Sequence, residues 1–243
     1  MSDNPIENSA AVQRALAGKA NIDVFAALKQ ANELTKGSFA TFSFAGVVVL
    51  AIFIAVFVLG TQLLNIEINS AEDMATPEYS LLNLIIILVM SPLLAGLTMM
   101  GVNRARRKEV KVLDVFQWIS IAVVIALGAL IVAIIVEIGL QLFILPGLYL
   151  GIATTFTSAL IVDKKLTAVS AIVLSVRVVN RYLGQFVLFF VVSLGLFAFA
   201  GFTLGVGLVW VLPLYFNTKG ILYENLFGDA DFSVEQTGST FSA

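Results

Sequence analysis

Cysteine and histidine are both absent from the 243 residues. Without cysteine there is no disulfide framework, no thiolate nucleophile and no iron–sulfur ligation. Without histidine the chain lacks haem and imidazole metal ligands, and the side chain most used to move protons near neutral pH. Charge is scarce too: 12% of residues are Asp, Glu, Lys or Arg, about half the share of roughly 25% in a soluble domain. The N-terminal stretch is polar and mixed in charge (Asp3, Glu7, Arg14, Lys19, Asp23, Lys29). It does not read as a signal peptide, which needs a basic start, an apolar stretch and a cleavage site. These absences predict no cofactor, no metal and no nucleic-acid partner.

Oily sequence fills the space instead. Hydrophobic residues make up 59% of the chain, gathered in unbroken runs of the length a helix needs to cross roughly 30 Å of hydrocarbon. The reading is an all-α, polytopic membrane protein with six transmembrane helices at about 41–64, 80–102, 117–136, 142–162, 184–203 and 206–223. The third run alone holds twelve Ile, Leu or Val residues, worth about −4 to −7 kcal/mol of insertion at roughly −0.3 to −0.6 each. Two further segments, 21–36 and 167–182, read as interfacial amphipathic helices. In the first, Val24, Phe25, Leu28, Ala31 and Leu34 form one face and Lys29, Glu33 and Lys36 the other. In the second, Arg177 and Arg181 lie four residues apart and resist insertion. Residues 1–38 are thus a tail with an amphipathic helix, 39–227 the membrane domain, and 228–243 a disordered acidic tail.

Orientation follows from the cations. All 14 Lys and Arg residues fall in the N-terminal tail, the 103–111 loop, the 163–183 segment or the C-terminal end. Cationic side chains stay on the cytoplasmic side, so both termini are predicted to lie in the cytoplasm of a bacterial inner membrane. Five or seven spans would strand some of these clusters outside. The connection 65–79 carries Glu67, Glu72, Asp73 and Glu78 and no cation.

The spans pair into three hairpins, and the second member of each holds a proline: Pro92, Pro146 and Pro213, taken as kink positions. Pro146-Gly147 predicts an irregular outer end for the fourth span, after a chain reversal around Glu137, Gly139 and Gln141. A shared proline is either the trace of an internal duplication or the ordinary frequency of Pro in membrane helices.

Leu145-Pro146-Gly147-Leu148-Tyr149, then Asp163, then an apolar helix with Ser175 leading into Gly184, then Leu212-Pro213 with Tyr223, resemble the YciC-like group of bacterial inner-membrane proteins. That group is related to the membrane domain attached to some glycerophosphodiester phosphodiesterases. The resemblance covers mostly residues 140–227 and implies a six-helix membrane domain. No catalytic residue carries over, since the hydrolase chemistry of the two-domain relatives belongs to a separate soluble barrel.

A titratable group inside a span is a functional hypothesis, because burying it costs at least about 2.5–3.5 kcal/mol. The interiors of the six runs hold none; Glu137, Asp163, Lys219 and Glu224 sit at or near their ends. Thr154, Thr155 and Ser158, with Glu137, either line a polar path or bond within and between helices. Gly147-x-x-x-Gly151 permits close helix approach. Arg104, Arg106, Arg107, Lys108 and Lys111, with Arg177 and Arg181, mark topology or contact anionic lipid headgroups, at about 1 kcal/mol per cation. Three functions follow: a non-enzymatic scaffold or assembly partner, homo-oligomeric or bound to another membrane protein; a channel or transporter for an uncharged or lipid-like solute; and, least supported, an intramembrane enzyme assembled from loop carboxylates.

Overall fold

The computed structural model describes residues 9–67, 73 and 76–228. The acidic tail from 229 onward and most of the 68–75 connection lie outside the described residues. The helices are α1 (Ala10–Leu16), α2 (Val24–Lys36), α3 (Phe39–Leu63), α4 (Pro77–Ala105), α5 (Ala122–Leu142), α6 (Ile144–Ala153), α7 (Thr157–Lys164), α8 (Ala168–Arg181), α9 (Leu183–Phe202) and α10 (Leu208–Phe227). Short 3-10 turns at Val112–Phe116 and Ile119–Ile121 lead into α5. Among the described residues there is no strand.

Among the described residues, five segments are long and apolar enough to cross a membrane: α3, α4, Val112–Leu142, Ile144–Lys164 and α9. Their large exposed side chains, such as Phe53 and Ile54 on α3 and Val191 and Leu194 on α9, are what a helix facing lipid presents. This is consistent with a membrane protein. α10 has the length but a more polar composition, with Asn217, Thr218, Lys219 and Glu224. Its place explains that composition. Twelve of its 20 residues are buried, whereas α3 buries four of 25, so α10 is bathed by protein rather than by lipid.

α10 packs against α4, α2, α3, α1 and α9. The tightest approach is to α4, at Gly101 and Gly220: a Cβ on Gly101 would strike the Phe216 carbonyl, and one on Gly220 would strike Gly101. Small residues let two backbones close in where lipid supplies no hydrophobic drive of its own. Pro92 in α4 and Pro213 in α10 are both buried, and both helices run on through them. Thr76 starts α4, its hydroxyl accepting from Tyr79 N at 3.3 Å with Pro77 in the first helical position.

The fourth span departs from expectation. Pro146 is the third residue of α6 and causes no break, because a first-turn proline gives up a donor that has no intrahelical partner anyway. The interruption comes later, at Thr154-Thr155-Phe156, between α6 and α7. The preceding reversal also shifts. α5 continues through Glu137, Gly139 and Gln141 to Leu142, and the chain turns at extended Phe143. Gly139 and Gly147 lie face to face across this turn, which is the packing role expected of Gly147. Gly151 has no such neighbour.

Two amphipathic segments are helical almost to the residue expected. Asp23 caps α2, its carboxylate accepting from Phe25 N and Ala26 N at 2.9 and 3.0 Å. The buried stripe of α2 is Val24, Ala27, Ala31 and Thr35, turned away from the expected one so that Phe25 is 63% exposed. The cause is α10, which takes the small-residue side of α2. The N-terminal stretch read as a loose tail contains α1, whose Val12 and Ala15 are fully buried. The Tyr182 hydroxyl anchors it, donating to Ala15 O at 3.1 Å and accepting from Ala20 N at 2.8 Å.

Candidate functional site

Two features stand out, a buried ionic cluster at one end of the helices and an apolar groove beside the broken span. In the cluster, Arg106 follows the last residue of α4, Asp163 lies in the last turn of α7, and Tyr223 and Glu224 lie near the end of α10. Arg106 forks onto Asp163, Nη1–Oδ1 at 2.7 Å and Nη2–Oδ2 at 3.0 Å. Its Nε donates to Glu224 Oε1 at 2.8 Å, with Nη2 2.7 Å from the same oxygen. The Tyr223 hydroxyl donates to Asp163 Oδ2 at 2.9 Å, and Lys164 Nζ stands 3.7 Å away.

The four charged side chains are between 11 and 16% exposed, and Tyr223 is fully buried. Two cations against two carboxylates leave the group neutral, which is the condition for keeping charge in a dry place. Burial works against the Arg106 charge, but the hydrogen bonds it donates to Asp163 and Glu224 outweigh it and hold the guanidinium above its ordinary range. Arg106 spends its fork on Asp163 and its Nε on Glu224, so the cluster joins α4, α7 and α10.

This divides the basic loop by role. Arg106 is internal, Arg104 is half-buried, and Arg107, Lys108 and Lys111 are exposed. On α8, Arg177 and Arg181 border a surface pocket with Leu16 and Asn180, and Asn180 accepts from Tyr149 OH at 3.0 Å.

The broken span is held from outside. In an unbroken helix Phe156 N would bond Ile152 O and Ala153 O would accept from Thr157 N. Here Phe156 N donates to Ser175 Oγ at 3.3 Å, and Ser175 Oγ donates to Ala153 O at 2.8 Å. One buried hydroxyl from α8 thus serves both orphaned groups. Phe156 packs edge-on against Phe186, Tyr223 and Phe227, with ring centroids at 5.4, 5.7 and 5.7 Å, which ties the break to α9 and to the cluster on α10.

Beside the break opens a groove of about 270 Å³, floored by Gly151, Ile152 and Thr155 and walled by Phe186, Phe190, Ser193 and Phe197 of α9. Tyr215 of α10 closes the back, stacked on Phe189 at 5.6 Å and edge-on to Phe197 at 5.4 Å. Thr155, Ser193 and Tyr215 are the hydroxyl-bearing residues of its lining.

The four residues weighed as a polar path stand in different settings. Thr154 donates to its own helix at Leu150 O, 2.7 Å away. Thr155 lines the groove, Ser158 is half-buried on α7, and Glu137 is exposed on α5. Sequence reading missed the cluster and the role of Ser175, although Asp163, Glu224 and Tyr223 had each been singled out. Asn217 of α10 is fully buried and donates to Thr35 Oγ1 at 3.1 Å. Comparison with family models, curated proteins and solved structures finds no match to this chain.

Proposed function

We propose that the chain is a non-enzymatic scaffold or assembly factor of the bacterial inner membrane, in contact with lipid and working as a homo-oligomer or with another membrane protein. One observation carries this reading. The titratable groups that α4, α7 and α10 bring together neutralise one another as an internal weld, while the outward surface is apolar along the helices and cationic at Arg107, Lys108 and Lys111. Such a surface engages lipid tails and anionic headgroups. On this reading the spans number six, α10 being the sixth, and α2 and α8 lie at the cytoplasmic interface with both termini. The proposal includes membership of the YciC-like group, supported by the Pro146, Asp163, Ser175, Pro213 and Tyr223 pattern.

Size measurement in mild detergent and in lipid nanodiscs tests it. The expected species is larger than one chain or carries a co-purifying membrane protein. A lone monomer in both media sinks the scaffold. A reporter inserted at Asp73 should be active only outside the cytoplasm; cytoplasmic activity there overturns the six-span arrangement.

A second reading, a transporter of lipid-like solute, is favoured by the discontinuous helix α6–α7 beside a groove, the element from which transporter sites are built. Protein-dependent movement of a labelled lipid between leaflets of proteoliposomes would select it.

A further inference from the structure

We infer that the groove between α6, α9 and α10 holds one acyl chain of a phospholipid drawn from the leaflet on the Arg177–Arg181 side. The inference deepens the proposed lipid contact and rests on α9 crossing the bilayer. On α9 the walls are Phe186, Phe190, Ser193 and Phe197, a single stripe at helical spacing. From Phe186 to Phe197 is about 16 Å at 1.5 Å per residue, about half of the roughly 30 Å hydrocarbon core. The groove is therefore one leaflet long.

Its lining selects the occupant. The groove offers about 270 Å³, room for a slender aliphatic chain. Its lining is aromatic and aliphatic, and it opens outward past Phe190 and Leu194, 37 and 60% exposed. Gly151 in the floor meets nothing within 4 Å where a Cβ would stand, so this glycine keeps space open instead of permitting close packing. The headgroup end follows from α9. Phe186 lies five residues after Arg181, so the end of α8 that carries Arg177 and Arg181 runs into the Phe186 end of the groove and offers cations to a phosphate.

The test uses the full chain in nanodiscs doped with phosphatidylglycerol carrying a diazirine in mid-chain, followed by peptide mapping of the photoproduct. Labelling on 189–197 of α9 should exceed that on the outward face of α3 around Phe53 and Ile54 at least about fivefold. Gly151→Leu, which projects into open space, should bring the α9 signal down to the α3 level. Gly195→Leu, on α9 but outside the lining and equally unobstructed, should leave it unchanged. Equal labelling of α9 and α3, or a signal indifferent to Gly151→Leu, overturns the acyl site and leaves the lipid-facing scaffold standing. Absence of label from α3 as well would defeat the membrane reading itself. Cross-links from the groove to a second copy of the chain, or displacement of the label by an equal mole fraction of free fatty acid, would assign another occupant and overturn the phospholipid.

Discussion

Arg106 and Asp163 meet fork to fork, with Nη1–Oδ1 at 2.7 Å and Nη2–Oδ2 at 3.0 Å, across 57 residues of sequence. The pair closes a loop of structure, since Glu224 and Tyr223 bring a third helix to the same point. Losing one partner strands a charge in a dry site, which costs about 3–5 kcal/mol.

Arg106→Ala should therefore lower stability by about 3–5 kcal/mol, measured by unfolding in a denaturing detergent. Arg106→Lys should recover part of the loss, because a single ammonium cannot fork onto Asp163 while also reaching Glu224. The triple variant Arg106→Met, Asp163→Leu, Glu224→Leu should come close to the parent, as apolar replacements of buried ion pairs do. If the triple variant unfolds as readily as Arg106→Ala, the cluster does more than hold helices together.

Ser175→Ala removes one hydroxyl and leaves two backbone groups unpaired, Ala153 O and Phe156 N. Each unsatisfied buried group costs about 1–3 kcal/mol, so the loss should exceed that of an ordinary hydroxyl deletion. Ser170→Ala, at a half-buried position on the same helix, is the comparison. Hydrogen exchange at Phe156 NH should rise in the first variant alone.

At Gly101 a larger side chain has nowhere to go, since the Phe216 carbonyl occupies the position of its Cβ. Gly101→Leu should separate α4 from α10 and lower the yield of folded protein, with a cost above the roughly 1–3 kcal/mol of ordinary overpacking. Gly184→Leu, where a Cβ meets open space, should be tolerated. Detergent-solubilised monodispersity by gel filtration reads both.

The sequence made some of this legible and hid the rest for physical reasons. Apolar run length marks α3, α4, α5 and α9, because lipid penalises polar interruptions. Amphipathic spacing marks the extents of α2 and α8, whose N-termini Asp23 and Thr167 cap in the structure. The break at Thr154–Phe156 was not visible. Neither Gly nor Pro marks it, and the serine that stabilises it comes from a different helix. Proline drew the prediction to Pro146, where the first turn absorbs it. The ion cluster is hidden because Arg106 lies 57 and 118 residues from its two carboxylate partners, and a lone charge at the end of an apolar run looks like an interfacial residue wetted by water. The groove depends on which faces of α6 and α9 remain uncovered, which apolar periodicity does not encode in helices that are oily on all sides.

The N-terminal stretch offers the sharpest contrast between composition and packing, and it can be tested on one atom. Polar and mixed in charge, it nevertheless buries Val12 and Ala15 completely, and the Tyr182 hydroxyl holds both ends of its exit turn through Ala15 O and Ala20 N. Tyr182→Phe keeps the ring and removes both bonds, at about 0.5–1.5 kcal/mol each. Because the helix has only seven residues, far below the length at which an isolated helix is stable, its order depends on docking. Trypsin should then cut after Arg14 and Lys19 several-fold faster in Tyr182→Phe than in the parent, with no change at Lys164 or Lys165. Equal rates at Arg14 in both proteins would show that the apolar contacts of Val12 and Ala15 hold α1 without help from the tyrosine.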